Sequence, residues 1–245
     1  MTASDDWFSD FNDSGMPMIA TGRLPVSTPQ EAQTVVNKIV SYAGKSTNGP
    51  WTANALFVAD KDDSANNFTQ NTQIVEQNLP VKMKASEVFV DNVGVAGART
   101  AIVNAINSGQ LLVNYLGHGS EEQWSGSNIF DETTADSLTN GTQLPVFLIM
   151  DCLNGYFQDV YAEPLGVTLE LAPNGGAVAV VASSGLNQAP PQTSLDAAII
   201  QNAVSGMTLG EAVQKAKSSI NDLDVRRTFV LFGDPAMHVK QPSAH

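Results

Sequence analysis

Six runs of apolar residues recur along the chain, and each is long enough to form one β-strand. Most of these runs are continuous and do not alternate with polar residues, which is typical of strands that are covered on both faces of a sheet. The predicted strands are residues 53–60, 86–91, 110–117, 144–150, 175–183 and 228–233. The pattern therefore predicts a largely parallel sheet with both faces buried.

Segments with apolar residues at helical spacing separate these runs. The predicted helices are residues 29–43, 71–79, 97–109, 160–172, 194–205 and 208–220. Ser27 and Thr28, with Pro29 directly after them, mark the start of the first helix, and Thr208 and Glu211 have the spacing of a capping box. The glycine-rich stretch 91–97 predicts a surface turn. Strands alternating with helices predict an α/β fold with helices on both faces of the sheet.

The ends of two predicted strands carry residues that could perform chemistry. His118 directly follows the run 110–117, and Cys152 follows the run 144–150 after one intervening residue. In a parallel sheet with right-handed crossovers, the carboxyl ends of the strands meet at one edge, and open α/β sheets bind their ligands there. If the two strands are neighbours, both side chains lie at this edge.

A thiol and an imidazole at one site are two of the groups that a cysteine peptidase uses. Such an enzyme needs a thiolate, a histidine that takes and returns a proton, and N–H donors for the tetrahedral oxyanion. Because glycine lets the backbone pass close to a substrate carbonyl, the N–H of Gly119 is a natural oxyanion donor, and the N–H of Cys152 would be the second. The inert alternative is that His118 is a core histidine with satisfied hydrogen bonds and Cys152 a buried apolar filler.

Composition narrows the classes of function. The chain has 245 residues, of which 42% are hydrophobic and 15% charged, so it can bury a full core. We expect a single domain over residues 1–245, excised from a longer protein, with an acidic leading segment at 1–17 and a tail at 240–245.

A net charge of −13 argues against nucleic acid and anionic membranes as partners. No apolar run reaches the roughly 18 residues of a membrane-spanning helix, so we expect no membrane insertion.

Metal binding is a separate question. The single cysteine excludes an internal disulfide and a thiolate-rich zinc site. Two groups of aspartates offer oxygen ligands that could hold a structural Ca²⁺. They are Asp5, Asp6, Asp10 and Asp13 near the start of the chain, and Asp60, Asp62 and Asp63 after the first predicted strand. Neither group has the spacing of an EF-hand loop, so no metal is assigned.

Two short motifs resemble a known family. The stretch 117–124, with GHGS at its start and tryptophan at its end, and the stretch DCLNGYF at 151–157 resemble the caspase-like cysteine peptidases and, within them, the gingipain family. Residues 18–43, 178–188 and 228–239 resemble further segments of that family. The resemblance covers nearly the whole chain. It implies a caspase-like, three-layer α/β/α fold with a mostly parallel central sheet.

The resemblance also implies roles for individual residues. Cys152 corresponds to the nucleophile and His118 to the general base and acid of a cysteine endopeptidase that works through a thioester acyl-enzyme. Asp60 falls near the carboxylate that orients the histidine, and Asp62 and Asp63 in the following loop are alternatives for that role. The chemistry of this family requires no cofactor. The expected partner is a protein or peptide substrate.

Specificity is where the chain departs from the best-known gingipains. The arginine-selecting members place a carboxylate at the floor of the pocket for the residue before the scissile bond, and the corresponding position here falls at or near Phe68. A guanidinium without an anion in such a pocket would cost several kcal/mol, on the order given for unpaired buried charges. The implied walls are Leu116, Met150, Gln188 and Pro190. We therefore expect an uncharged or apolar residue there, unless Asp62 or Asp63 turns into the pocket.

Three other interpretations stay open at this point. A transpeptidase or sortase-like processing enzyme would share the acyl-enzyme and differ only in the acceptor. A non-catalytic binding module on the same fold is disfavoured by the intact motif residues His118, Gly119 and Cys152. A regulated intracellular protease is the third. The acidic composition and the gingipain-type motifs favour a secreted or bacterial cell-surface protein.

Overall fold

A six-stranded sheet forms the centre of the structure, a computed structural model that describes residues 3–44 and 48–242. In chain order the strands are β1 (Asn54–Ala59), β2 (Lys84–Phe89), β3 (Leu112–Leu116), β4 (Gln123–Trp124), β5 (Phe130–Asp131), β6 (Val146–Met150), β7 (Ala179–Ser183) and β8 (Phe229–Phe232). The central sheet has the order β2-β1-β3-β6-β7-β8, and β4 pairs with β5 in a separate two-stranded sheet. Only β8 runs antiparallel to its neighbour in the central sheet. The predicted parallel sheet is thus confirmed, with one antiparallel strand at its edge.

Eight α-helices connect and cover the strands in the described part of the chain. They are α1 (Pro29–Ala43), α2 (Phe68–Glu76), α3 (Val90–Asn107), α4 (Glu132–Asp136), α5 (Leu165–Leu171), α6 (Ala189–Val204), α7 (Leu209–Ser218) and α8 (Leu223–Thr228). Capping boxes at Thr28 and Thr208 begin α1 and α7. The box at Thr208 is predicted by its sequence spacing, whereas for α1 the sequence predicts only a start at Ser27 and Thr28. Of the predicted tail 240–245, residues 243–245 lie outside the described residues, as do residues 1 and 2 of the leading segment.

Helices α2, α3, α5 and α6 differ from their predicted bounds by three residues or more at one end at least. For α3 and α5 the reason can be identified. The stretch 91–97, predicted as a turn, lies inside α3, and only Gly94 departs from helical geometry, with a φ of 68°. Glycine adopts this left-handed backbone without strain, so the chain breaks the helix there and resumes it. Helix α5 begins only after Pro164, which has extended backbone torsions and ends the preceding loop.

Each face of the sheet packs against its own set of helices. On β6, Val146 and Leu148 face a cluster that contains residues of α2, α6 and α7, whereas Phe147 and Ile149 face a cluster with residues of α3, α4 and α5. All of these strand side chains are 0–1% exposed. The sheet is therefore the middle of three layers, which explains why its strands read as continuous apolar runs.

Strands β3 and β6 are parallel neighbours, and their last residues, Leu116 and Met150, are register partners. His118 and Cys152 follow these residues by the same number of positions. Both therefore lie at the carboxyl edge of the sheet, as predicted. None of the helices in the described residues has the length and apolar character needed to cross a membrane.

Candidate active site

The backbone around His118 is held from two sides. The N–H of His118 donates to Oδ2 of Asp60 at 3.2 Å, and the hydroxyl of Tyr115 donates to the carbonyl of His118 at 2.7 Å. Tyr115 in turn stacks on Trp124, with ring centroids 4.4 Å apart and planes 9° apart. Trp124 is completely buried, so its place is in the packing beneath the loop. The position of the His118 loop is thus set by buried groups.

The imidazole of His118 contacts an exposed carboxylate and a buried ring. Its Nε2 lies 2.7 Å from Oδ2 of Asp63, and its ring meets the edge of Phe68 with centroids 5.1 Å apart. The hydrogen bond with His118, followed by hydrogen bonds from Ala65 and Asn66, holds the pKa of Asp63 well below its ordinary value. Asp63 therefore stays ionised, and it fixes which ring nitrogen of His118 faces away from it.

The three aspartates after β1 occupy different positions. Asp60, which the sequence favours as the carboxylate on the histidine, is 3% exposed and contacts the backbone of His118. Asp62 accepts a hydrogen bond from the N–H of Thr69 at 2.9 Å, in the first turn of α2. Asp63, one of the two alternatives, is the one whose carboxylate contacts the imidazole.

Cys152 rests against the loop that follows β7. Its Sγ accepts a hydrogen bond from the N–H of Asn187 at 3.4 Å and lies 3.6 Å from the carbonyl oxygen of the same residue. The side chain of Asn187 donates to Ser183 at 2.5 Å and to Thr228 at 2.9 Å, which anchors the loop. Burial raises the pKa of the Cys152 thiol, against the effect of the Asn187 N–H. Cys152 is therefore a thiol held by a peptide group.

The two predicted oxyanion donors are free. Within residues 3–44 and 48–242, neither the N–H of Gly119 nor that of Cys152 has a hydrogen-bond partner. A Cβ at position 119 would lie 2.0 Å from Oδ2 of Asp151, so only glycine fits there without displacing the carboxyl. The close approach of this backbone to Asp151 explains why the loop carries glycine.

Two residues beside Cys152, Asn187 and Asp151, are not among the residues predicted from the sequence. Asn187 carried no motif signal of its own, because its contact with Cys152 depends on how the loop after β7 folds back. Asp151 had a signal, since an acid directly after the buried run of β6 is unusual. It is 0% exposed, and burial raises its pKa well above the ordinary value.

The predicted substrate pocket divides into a buried and an exposed part. Phe68, Leu116 and Met150 are each 2% exposed and belong to one apolar cluster on the α2 and α6 side of the sheet. Gln188 and Pro190 are exposed at the start of α6. In this structure the three apolar residues are part of the core and closed off from solvent, and only Gln188 and Pro190 are exposed.

The predicted calcium ligands near the start of the chain are engaged elsewhere. Asp5 pairs with Arg23 at 2.5 Å, and Asp6 pairs with Lys217 at 2.8 Å. The Asp6–Lys217 pair is buried, with 9% and 4% of the two side chains exposed. Each carboxylate therefore already has a counter-charge.

The other two aspartates of the leading segment, Asp10 and Asp13, do not complete a calcium site. Oδ1 and Oδ2 of Asp10 accept hydrogen bonds from the backbone of Ser14 and Gly15, and Asp13 is exposed in the same loop. Among the described residues there is no group of three or more histidine, cysteine or acidic side chains that could hold a metal ion. The arrangement does not fit a shared Ca²⁺ site.

The three-layer fold with a cysteine and a histidine at the carboxyl edge of its sheet defines a caspase-like cysteine peptidase fold. Residues 1–240 match the family model of peptidase family C25, and the chain belongs to that family.

Relatives and solved structures agree with this assignment. The chain is 27% identical over 241 residues to gingipain R2 of Porphyromonas gingivalis, an alignment that covers 89% of this chain and 32% of the relative. It is 24% identical over 185 residues to Lys-gingipain HG66 of the same organism, covering 74% of this chain and 10% of the relative. The crystal structure of the Arg-specific cysteine proteinase gingipain R superposes with a TM-score of 0.85 at 22% identity, covering 98% of this chain and 60% of that one. The chain thus spans about a third of the length of gingipain R2.

Proposed function

We propose that this chain is a cysteine endopeptidase in which Cys152 is the nucleophile and His118 the general base and acid. The observation that carries the proposal is the placement of both residues just beyond the ends of two neighbouring parallel strands. A carboxylate contacts the imidazole, and the N–H groups of Gly119 and Cys152 are unpaired among the described residues. These are the four components that acyl transfer to a thiol requires.

The first half of the reaction forms the acyl-enzyme. His118 takes the proton from Sγ of Cys152 as the sulfur attacks the carbonyl carbon of the peptide bond. The resulting oxyanion accepts hydrogen bonds from the N–H groups of Gly119 and Cys152. The C–N bond then breaks, His118 gives its proton to the departing amine, and a thioester remains on Cys152.

The second half releases the acid product. His118 takes a proton from a water molecule as the oxygen attacks the thioester carbonyl, and the same two N–H groups stabilise the second oxyanion. The C–S bond breaks and the sulfur regains its proton. In the resting structure Sγ contacts Asn187 and has no hydrogen bond with His118 among the described residues. A substrate carbonyl would therefore lie between the two catalytic side chains.

Two of the three aspartates after β1 support the histidine in this proposal. Asp63 orients the imidazole and stabilises it when it carries the proton, because its carboxylate stays ionised. Asp60 acts one step further away by holding the backbone N–H of His118.

For the residue before the scissile bond, we propose a preference for an uncharged or apolar side chain. The three buried members of the predicted pocket, Phe68, Leu116 and Met150, are all apolar. Neither alternative acid is free to meet a guanidinium, because Asp62 is bound to the first turn of α2 and Asp63 to His118. An arginine side chain would have to be desolvated there without a counter-charge.

The setting is also part of the proposal. The substrates are proteins or peptides, and the net charge of −13 disfavours nucleic-acid partners. The family resemblance supports a secreted or cell-surface location. Fractionation of the native source with an antibody to this chain would locate the protein, and recovery in the cytoplasm alone would contradict this part.

A library of peptide acyloxymethylketones, varied at the residue before the warhead, tests the activity directly. We expect covalent mass on Cys152 of the native chain, no labelling of Cys152→Ala, and labelling of His118→Ala that is at least tenfold slower, in line with the contribution of general-base catalysis. We expect apolar probes to react at least tenfold faster than the arginine probe. Labelling should not depend on Ca²⁺. Absence of labelling in a folded native chain would contradict the peptidase proposal, and preference for arginine would contradict the pocket assignment alone.

A further inference from the structure

Asp151 is a buried acid with no charged partner in the middle of the site. Its side chain is 0% exposed, and within the described parts of the chain neither Oδ1 nor Oδ2 accepts a hydrogen bond of good geometry, although the N–H of Asn154 lies close enough to act on the carboxyl. An isolated ionised carboxylate in such surroundings is strongly unfavourable, so a buried acid of this kind keeps its proton.

Its location links the two halves of the site. Asp151 directly precedes Cys152 in the chain, and its carboxyl lies against the backbone of Gly119 across from it. A Cβ built on Gly119 would lie 2.0 Å from Oδ2, 2.4 Å from Cγ and 2.9 Å from Cβ of Asp151. The side chain therefore fills the space between the two segments that provide the oxyanion donors.

The titratable groups that face Asp151 are Asp60 at the end of β1, Tyr115 on β3 and Cys152 itself. Burial is the largest cause that raises the pKa of Asp151, and the negative charge of Asp60 adds to it, whereas the backbone of Asn154 acts in the opposite direction. Asp60 is already used by the N–H groups of Lys61 and His118. No cation among these neighbours offsets a charge on Asp151.

We propose that Asp151, as an uncharged carboxyl, is a positioning residue that sets the distance between the Gly119 backbone and Cys152, and that its ionisation inactivates the site. The proposal rests on the proposed peptidase function and adds a mode of regulation to it. A negative charge directly beneath the oxyanion donors would oppose both the thiolate and the developing oxyanion, and in a buried site such an effect is only weakly screened. Alkaline conditions should therefore switch the enzyme off through this residue.

Asp151→Asn separates the effect of charge from that of shape. The amide has the size of the carboxyl and cannot ionise, so we expect its labelling rate at pH 7 to lie within threefold of the native rate. Between pH 7 and pH 9.5 the ratio of the Asp151→Asn rate to the native rate should rise at least fivefold. Asp151→Ala removes the side chain that fills the space between the two segments, and we expect labelling at least tenfold slower at pH 7. Circular dichroism and a thermal melt establish that each variant is folded.

Asp196→Asn is the matched control. Asp196 is also a 0% exposed aspartate whose burial raises its pKa, but it lies on α6 and its carboxylate accepts a hydrogen bond from Asn114. We expect this variant to keep the native pH profile of labelling.

Alkylation of Cys152 by iodoacetamide provides a second readout that does not depend on peptidase activity, because the chain has one cysteine. We expect the ratio of the Asp151→Asn alkylation rate to the native rate to be at least threefold higher at pH 9.5 than at pH 7. If peptide probes never label the native chain but this difference in alkylation is present, the peptidase proposal fails and the charge effect stands. If the ratios of Asp151→Asn to native are constant with pH in both assays, or if Asp151→Ala reacts at the native rate, the role of Asp151 is refuted.

Discussion

Nε2 of His118 lies 2.7 Å from Oδ2 of Asp63, and the edge of Phe68 packs against the same ring. The carboxylate and the phenyl ring together restrict the imidazole, although 57% of the histidine side chain is exposed. The other ring nitrogen, Nδ1, has no hydrogen-bond partner among the described residues. In the proposed mechanism it is therefore the nitrogen that exchanges a proton with Cys152 and the substrate.

Removing the carboxylate of Asp63 should impair catalysis without unfolding the chain. For Asp63→Ala we expect kcat/KM to fall about 10- to 100-fold, mainly through kcat, since the imidazole loses its orientation and its counter-charge. The melting temperature should stay near the native value, because Asp63 is exposed.

Asp234→Ala provides the control for Asp63. Like Asp63, Asp234 accepts a hydrogen bond from the N–H of an alanine two residues further along. Because Asp234 follows the antiparallel strand β8, it lies at the amino ends of the parallel strands, whereas Asp63 lies at their carboxyl ends. We expect native kcat/KM for this variant. An equal loss in the two variants would show that the effect of Asp63 is not exerted through His118.

A methyl group at position 119 should disable the oxyanion donors. In Gly119→Ala the added Cβ would meet Asp151 at 2.0 Å, so the backbone N–H must move. We expect the labelling rate to fall about 100- to 1,000-fold, the range found when one oxyanion donor is lost. Gly126→Ala, where a Cβ meets no atom within 4 Å, should react within twofold of the native rate. Native reactivity of Gly119→Ala would exclude this N–H as a donor.

Breaking the buried pair between Asp6 and Lys217 should destabilise the chain regardless of calcium. Asp6→Ala leaves the ammonium of Lys217 buried without its partner, and we expect the free energy of unfolding to fall by about 3–5 kcal/mol. Urea titrations with EDTA or with Ca²⁺ should agree. A stabilisation of the native chain by Ca²⁺ that disappears in Asp6→Ala would reinstate a metal site at this segment.

The buried acid Asp196 should make stability depend on pH. Burial raises its pKa from 3.8 to about 8, opposed by the hydrogen bond from Asn114. Asp196 therefore keeps its proton in the folded state at pH values where the unfolded chain, in which the pKa is the ordinary 3.8, has already released it. The stabilisation is complete below pH 3.8, declines as the pH rises toward 8, and is lost above that value.

Asp196→Asn has no proton to lose at this position, so its stability should not show that decline. The difference in free energy of unfolding between the variant and the native chain should grow from pH 5 to pH 8, by at most about 1.4 kcal/mol per pH unit for one proton. Denaturant titrations at several pH values measure this difference. A difference that is constant with pH would show that Asp196 is already ionised in the folded state.

The sequence by itself determined the architecture and the location of His118 and Cys152 in it. Strands covered on both faces must be continuously apolar, so all of the central strands could be located from hydrophobicity, with ends displaced by a few residues. The start signal at Ser27, Thr28 and Pro29 and the capping box at Thr208 placed two helix starts, because both depend on local interactions. His118 and Cys152 could be assigned to one edge, since parallel strands bring their carboxyl ends together.

Only the tertiary structure decided how the acids are used. Asp60, Asp62 and Asp63 lie in one polar loop with no periodicity to distinguish them, and their partners are His118 and α2, which the fold brings to that loop. Asp5 and Asp6 resembled metal ligands until the fold brought Arg23 and Lys217 to them, the second from 211 residues away. Asp151 follows a buried strand in the sequence, but its contact with the Gly119 backbone depends on the fold. The protonation state of a carboxyl group depends on its burial and on the nearest charges, and both are set by distant parts of the chain.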